Sequence, residues 1–277
     1  MFELPHLTAS RYLQPLREGG SLPAVVETEA GLFVAKFRGA GQGAGALVAE
    51  LIAGGLARAL GLPLPEPALI QVTPDFGLDE GDPEIRDLLR ASHGTNIGLR
   101  YLDGAFNYDG YAASDLVTPE LAAEIVWFDG LITNPDRTHR NPNLLVWERQ
   151  PWLIDHGTSL YAHHDWSAVD EARTRTPFPL IAQHVLLARA EGLEEADARL
   201  ASRLVDDVLH DVLAAVPEDL LLDPHFARGV TSAEAARGRY RDYLGLRLRP
   251  PRAWVASALA AQDEARQNPP QRKKARR

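Results

Sequence analysis

The stretch Asn134-Pro135-Asp136-Arg137-Thr138-His139-Arg140-Asn141-Pro142-Asn143-Leu144-Leu145-Val146-Trp147, followed by Leu153-Ile154-Asp155-His156-Gly157, decides how this chain is read. A polar loop runs into a short apolar segment, a turn, a second apolar segment and an Asp-x-Gly. The runs 144–147 and 151–155 flank Glu148-Arg149-Gln150 and should pair as a hairpin, and residues 119–132 upstream carry a helical pattern. Three of the six asparagines fall in the loop, which puts an acid and amides together at the mouth of a sheet. Phosphoryl transfer asks for such groups: a carboxylate to orient the attacking hydroxyl, and oxygen ligands for the Mg²⁺ that neutralises developing charge. Asp136 fits the orienting base. Asn141, five residues on, and Asp155 fit the metal ligands, with Asn143, which directly precedes the apolar run, as the alternative to Asn141.

Working outward, residues 24–28 and 32–38 are short, rich in β-branched and aromatic side chains, and separated by the turn-like Glu29-Ala30-Gly31. They read as a hairpin with Lys36 on its second strand. Residues 45–60 have apolar side chains at helical spacing and end at Gly61, although Gly54-Gly55 weaken the pattern. Residues 67–75, PALIQVTPD, read as a strand. Residues 75–114 are expected to hold connectors, a short helix over 83–91 and the link to a second lobe, and residues 178–262 are helical in several pieces. Lys36 is the only lysine outside the carboxy-terminal tail; arginine is used at the other cationic positions of the body. That choice suits a position needing a compact point charge rather than a planar fork. A strand lysine paired to a helix glutamate, here Glu50, would hold the phosphates of a nucleotide. Gly19, Gly20 and Ser21 offer backbone N–H groups before the first strand of the hairpin as a phosphate loop. The glycine-rich run 39–45 reads as a mobile link into the helix. Arg137 and Arg140 are candidates to stabilise negative charge, with surface salt pairing the equal alternative for each.

Composition narrows the classes. The net charge of −9 includes Arg272, Lys273, Lys274, Arg276 and Arg277, so the body lies near −14 and is a poor nucleic-acid binder. The absence of cysteine removes thiolate catalysis and Cys-ligated zinc and leaves oxygen or imidazole ligands. No basic-then-apolar leader and no membrane span is evident, and a cytoplasmic location is expected. A metal hydrolase using His139, His156, His163 and His164 is the rival enzyme. It lacks helical H-x-x-x-H spacing, and His163-His164 on a strand would point apart.

With these residues in hand, the chain resembles the HipA-like branch of the protein-kinase-like superfamily, and its loop is also similar to that of phosphatidylinositol kinases. The resemblance spans roughly residues 16–222: VAKF and AELIAGGLARALGLPLPEP match the amino lobe, and FDGLITNPDRTHRNPNLLVW through LIDHG the catalytic lobe. His156 stands where many kinases have phenylalanine. The resemblance implies a two-lobed α+β fold, with a β-rich amino lobe over 1–95 and a helical catalytic lobe over 96–265; the basic tail over 266–277, Pro-containing, polar and poor in apolar residues, is expected to be disordered. The resemblance also implies ATP and Mg²⁺ between the lobes, with phosphorylation of a hydroxyl. In HipA-like members that hydroxyl is on protein serine or threonine; a small-molecule or lipid hydroxyl, or a degenerate nucleotide-binding module, is the alternative. Asp136 then orients the acceptor, Lys36 and Glu50 serve the phosphates, and Asn141 or Asn143 with Asp155 holds metal.

Overall fold

The computed structural model describes residues 3–16, 22–110 and 113–267. Gly19, Gly20, Ser21 and residues 268–277 of the tail lie outside the described residues. The chain runs β1 (His6–Thr8), β2 (Arg11–Pro15), β3 (Ala24–Thr28), β4 (Gly31–Lys36), α1 (Gly43–Leu60), β5 (Pro67–Val72), α2 (Pro83–Ala91), β6 (Gly94–Arg100) and β7 (Phe106–Asn107). It continues with α3 (Pro119–Leu131), β8 (Leu144–Trp147), β9 (Gln150–Leu153), α4 (Glu171–Thr174), α5 (Leu193–Arg203), α6 (Asp206–Ala214), α7 (Glu218–Leu221), α8 (Ala233–Leu248) and α9 (Ala253–Gln267).

A six-stranded sheet in the order β1-β5-β6-β4-β3-β2 forms the amino lobe. All its pairings are antiparallel except β1 with β5. The sequence reading missed β1, β2 and, more consequentially, β6, the central strand between β5 and β4. Gly94, Asn96 and Gly98 erase the β-propensity of that stretch, yet the site demands them. Asn96 is fully buried and its amide donates to the Ser92 and Gly94 carbonyls, while a Cβ on Gly98 would meet Ile70 Cγ1 at 2.9 Å. The sheet therefore extends to Arg100, five residues past the expected lobe boundary.

One face of this sheet buries Val26, Phe33, Ala35, Ala68 and Ile70 with Leu88 and Leu89 of α2. The other face meets α1. That helix is apolar on all sides, which is the pattern of a helix buried all round, and it packs against β6 and against α5, α6 and α7 of the second lobe. Gly54 does not break it: a Cβ there would lie 3.3 Å from Leu64, so close packing stabilises what propensity does not. α1 is the one described helix long and apolar enough to cross a membrane, and most of it is buried in the core. The core it shares with Trp127 and Phe128 of α3 and Leu244 of α8 is continuous across both lobes.

β8 and β9 pair as the expected hairpin around Glu148 and Arg149, both at positive φ (49° and 62°), a two-residue turn of the kind matched to strand twist. β7 adds a third strand.

Candidate active site

Strand alternation places Lys36. Phe33, Ala35 and Phe37 turn into the α2-side core, so Lys36 faces α1 and the lobe junction. Its Nζ donates to Glu50 Oε2 at 2.7 Å and to Asp155 Oδ1 at 2.6 Å. Burial works against the Lys36 charge, but the two carboxylates outweigh it and raise the pKa above the ordinary lysine value. Burial likewise works against ionised Glu50, yet Lys36 and His156 hold its pKa down to about 2. Three expected residues from strand, helix and loop thus meet as one charged cluster.

The loop after α3 is held from beneath. Asp129, fully buried on α3, accepts from Arg137 Nε at 2.6 Å and from Asn134 Nδ2 at 2.9 Å, and lies 2.8 Å from His184 Nε2. Burial would raise its pKa; Arg137 and His184 drive it down instead. Arg137 NH1 also donates to the Asn143 carbonyl, and its NH2 lies 2.9 Å from His156 Nε2. Arg137 was a candidate to face negative charge in the cleft. The structure turns it inward, 1% exposed, as the strut of the loop. Arg140 stays exposed on the surface. Sequence reasoning missed Asp129 and His184. The signal for Asp129 was available: a carboxylate inside the apolar run Ile125-Val-Trp-Phe-Asp129-Gly-Leu must find buried partners.

Asp136 is half-buried at the top of this loop, its N–H donating to Asn134 Oδ1 at 3.0 Å. Its pKa is raised, first by burial and then by the charge of Asp155, against the pull of Arg137 and Lys36. Asp136, Asp155 and Lys36 therefore share one electrostatic site. Asn141 and Asn143 part company. Asn141 is exposed, with its backbone paired to Thr138 in a tight turn. Asn143 is 7% exposed at φ 46°, and its Nδ2 donates to the Asp155 carbonyl at 3.4 Å.

A cavity beside Lys36 and Asp155 is lined also by Gln42, Gly43, Ala46 and Gly157. The end of the glycine-rich link and the first turn of α1 wall this cavity. The histidines form no metal centre: among the described residues no three His, Asp or Glu side chains come together to hold an ion. His163 and His164 lie on a 3-10 turn, not a strand, with ring centroids 4.5 Å apart. His163 packs against Tyr240, and burial lowers its pKa to about 3.

Comparison with known proteins bears on this arrangement. The chain is similar in structure to the proinflammatory kinase CtkA of Helicobacter pylori, at a TM-score of 0.54 and 14% identity over 94% of this chain and 98% of that one. At that identity the likeness concerns the fold. A sequence comparison with curated proteins returns no match. A model of the HipA-like kinase family matches residues 12–220, which include Lys36, Glu50, the 134–143 loop and Asp155. The chain belongs to the HipA-like kinase family, and is a phosphotransferase with the two-lobed α+β fold.

Proposed function

We propose that this kinase uses ATP and Mg²⁺ and transfers the γ-phosphoryl group to a serine or threonine hydroxyl of a protein. One observation carries the reading: Lys36, Glu50 and Asp155, 119 residues apart at the extremes, converge within 2.7 Å contacts, and the charges of Asp155 and Lys36 reach the half-buried Asp136. Lys36 serves the phosphates, Glu50 fixes it, and Asp136 orients the acceptor hydroxyl and takes its proton. The donor set suits magnesium, which is bound through one or two carboxylates together with water and phosphate oxygens rather than by an all-protein cage. Asp155 supplies the carboxylate; its side chain is 40% exposed towards the cleft. Asn143 is favoured over Asn141 as the amide ligand because it is buried against Asp155, whereas Asn141 lies on the surface. When bound, the metal neutralises charge developing on the transferred group.

The acceptor has a candidate seat. A groove of about 870 Å³ follows the segment after Asp155 and is lined by His164, Trp166, Asp170, Phe226, Arg239 and Tyr243. Gly45 on α1 lies against Phe226 and His164, so the groove borders the helix that walls the Lys36 cavity. Its mixed charge and aromatic walls suit a peptide segment better than an anionic membrane surface. A cytoplasmic site of action fits the use of ATP.

The first test is a thermal-shift titration with ATP, with and without Mg²⁺, on wild type and Asp155→Ala. A bound ligand stabilises the folded state by mass action, so wild type should shift only with both present, and Asp155→Ala should not. No shift in wild type would sink the nucleotide reading. Phosphoamino-acid analysis after incubation with labelled ATP then checks the acceptor.

A further inference from the structure

The side chain that replaces phenylalanine in the Asp155-His156-Gly157 motif is tied into both halves of the site. His156 is fully buried, edge-on to Phe128 at a ring distance of 5.8 Å. Its backbone N–H donates at 2.8 Å to Glu50 Oε2, the oxygen that also holds Lys36. Its ring Nε2 lies 2.9 Å from Arg137 NH2. A guanidinium only donates, so Nε2 must accept and the ring proton must sit on Nδ1. Nδ1 faces Glu50 Oε1 across 3.7 Å, and both atoms are buried without a hydrogen-bond partner. That distance is too long for a hydrogen bond, and orphaned buried atoms of this kind call for an explanation.

Building on the kinase site assigned above, we infer that His156 is a positioning residue that sets the Lys36–Glu50 pair and the metal-binding loop against each other. Nδ1–H orients Glu50 and through it Lys36. Nε2 orients Arg137, whose NH1 reaches the carbonyls of Asn143 and of Ile154 at the two edges of the proposed metal site. A turn of the Glu50 carboxylate about Oε2, which the His156 N–H already holds, that shortens the open gap by about 1 Å gives a hydrogen bond of ordinary length. The two orphaned atoms thus stand one short side-chain movement from pairing. Phenylalanine fills the same space and makes neither contact.

Two measurements test this. In ¹⁵N spectra of imidazole-labelled, ligand-free wild type, His156 should show a protonated Nδ1 and a bare Nε2; the opposite tautomer overturns the proposal without any reference to activity. In kinetics, His156→Phe should lower kcat/KM for ATP by about 10- to 100-fold, the range for lost outer-shell orientation. His156→Asn keeps an amide donor where Nδ1 stood and should recover the KM for ATP relative to His156→Phe. His156→Gln keeps an acceptor where Nε2 stood and should recover kcat instead. Equal kcat and KM in all three variants, once corrected for folded fraction, would assign His156 to packing alone. If wild type itself neither binds nor turns over ATP, the functional reading fails; the tautomer result still stands or falls on its own.

Discussion

Asp136 carries its raised pKa for two separable reasons, burial and the neighbouring Asp155 charge. In metal-free protein its carboxyl should titrate above the ordinary aspartate value of about 3.9. Asp155→Asn should move it back down, followed by ¹³C-carboxyl NMR; an unmoved value would mean the two acids do not share a site. Asp136→Asn should keep the ATP-dependent thermal shift and lose phosphotransfer by about 10²- to 10⁴-fold, the weight of a general base. Retained turnover would remove Asp136 from the mechanism. Glu50 makes a prediction of opposite sign. Burial opposes its charge but Lys36 and His156 prevail, so its folded pKa lies below its unfolded one. Its stabilisation is complete above the unfolded pKa of 4.5 and drains away as pH falls towards about 2. Urea midpoints recorded between about pH 5 and 2.5 should fall more steeply for wild type than for Glu50→Gln. Parallel curves would contradict the ion pair.

At the scale of elements, α3 decides how the 134–143 loop is held, and its carboxy-terminal end depends on a glycine. Gly130 packs directly under Trp254 of α9: a Cβ there would lie 2.7 Å from Trp254 Cε3. The tryptophan cannot retreat, being edge-on to Trp127 at 5.2 Å and bonded through Nε1 to the Arg247 carbonyl. Alanine gains up to about 1 kcal/mol in helix propensity, but the overlap should cost about 1–3 kcal/mol. Gly130→Ala is therefore expected to unfold at lower urea, and a variant as stable as wild type would show that α9 can slide. The same helix shows why patterning alone says little about a site. Trp127, Phe128 and Leu131 mark it as a core element, while Asp129 in their midst is the anchor for Arg137, Asn134 and His184.

The two lobes are joined by more than the apolar core around α1. Two residues beyond Lys36, Arg38 reaches Asp219 Oδ2 at 3.0 Å and Asp223 Oδ2 at 2.7 Å, linking the sheet to the α7 region. Asp223 is mostly buried, so removing its partner strands a charge. Arg38→Ala should cost about 1–3 kcal/mol. It should also speed amide exchange around α7 and the end of β4 while α8 stays protected. Exchange accelerated everywhere or nowhere would deny Arg38 a role as a clasp between lobes.

Lys36 on a strand, Glu50 on the next helix, the polar loop with Asp136 and the hairpin leading to Asp155 were legible in the chain, because strand alternation, helix spacing and turn chemistry act over a few residues. Those local rules also located the helix at Pro83–Ala91 and the turn at Glu148 and Arg149. Strand β6 was not legible, since its glycines and asparagine answer to close packing across the sheet rather than to backbone preference. Nor were the inward turn of Arg137, the hydrogen bond of Asn143 to the Asp155 carbonyl, or the seat of His156 between Glu50 and Arg137. Each of these is settled by partners distant in sequence, and only folding, which forces every buried charge to find one, brings them within reach.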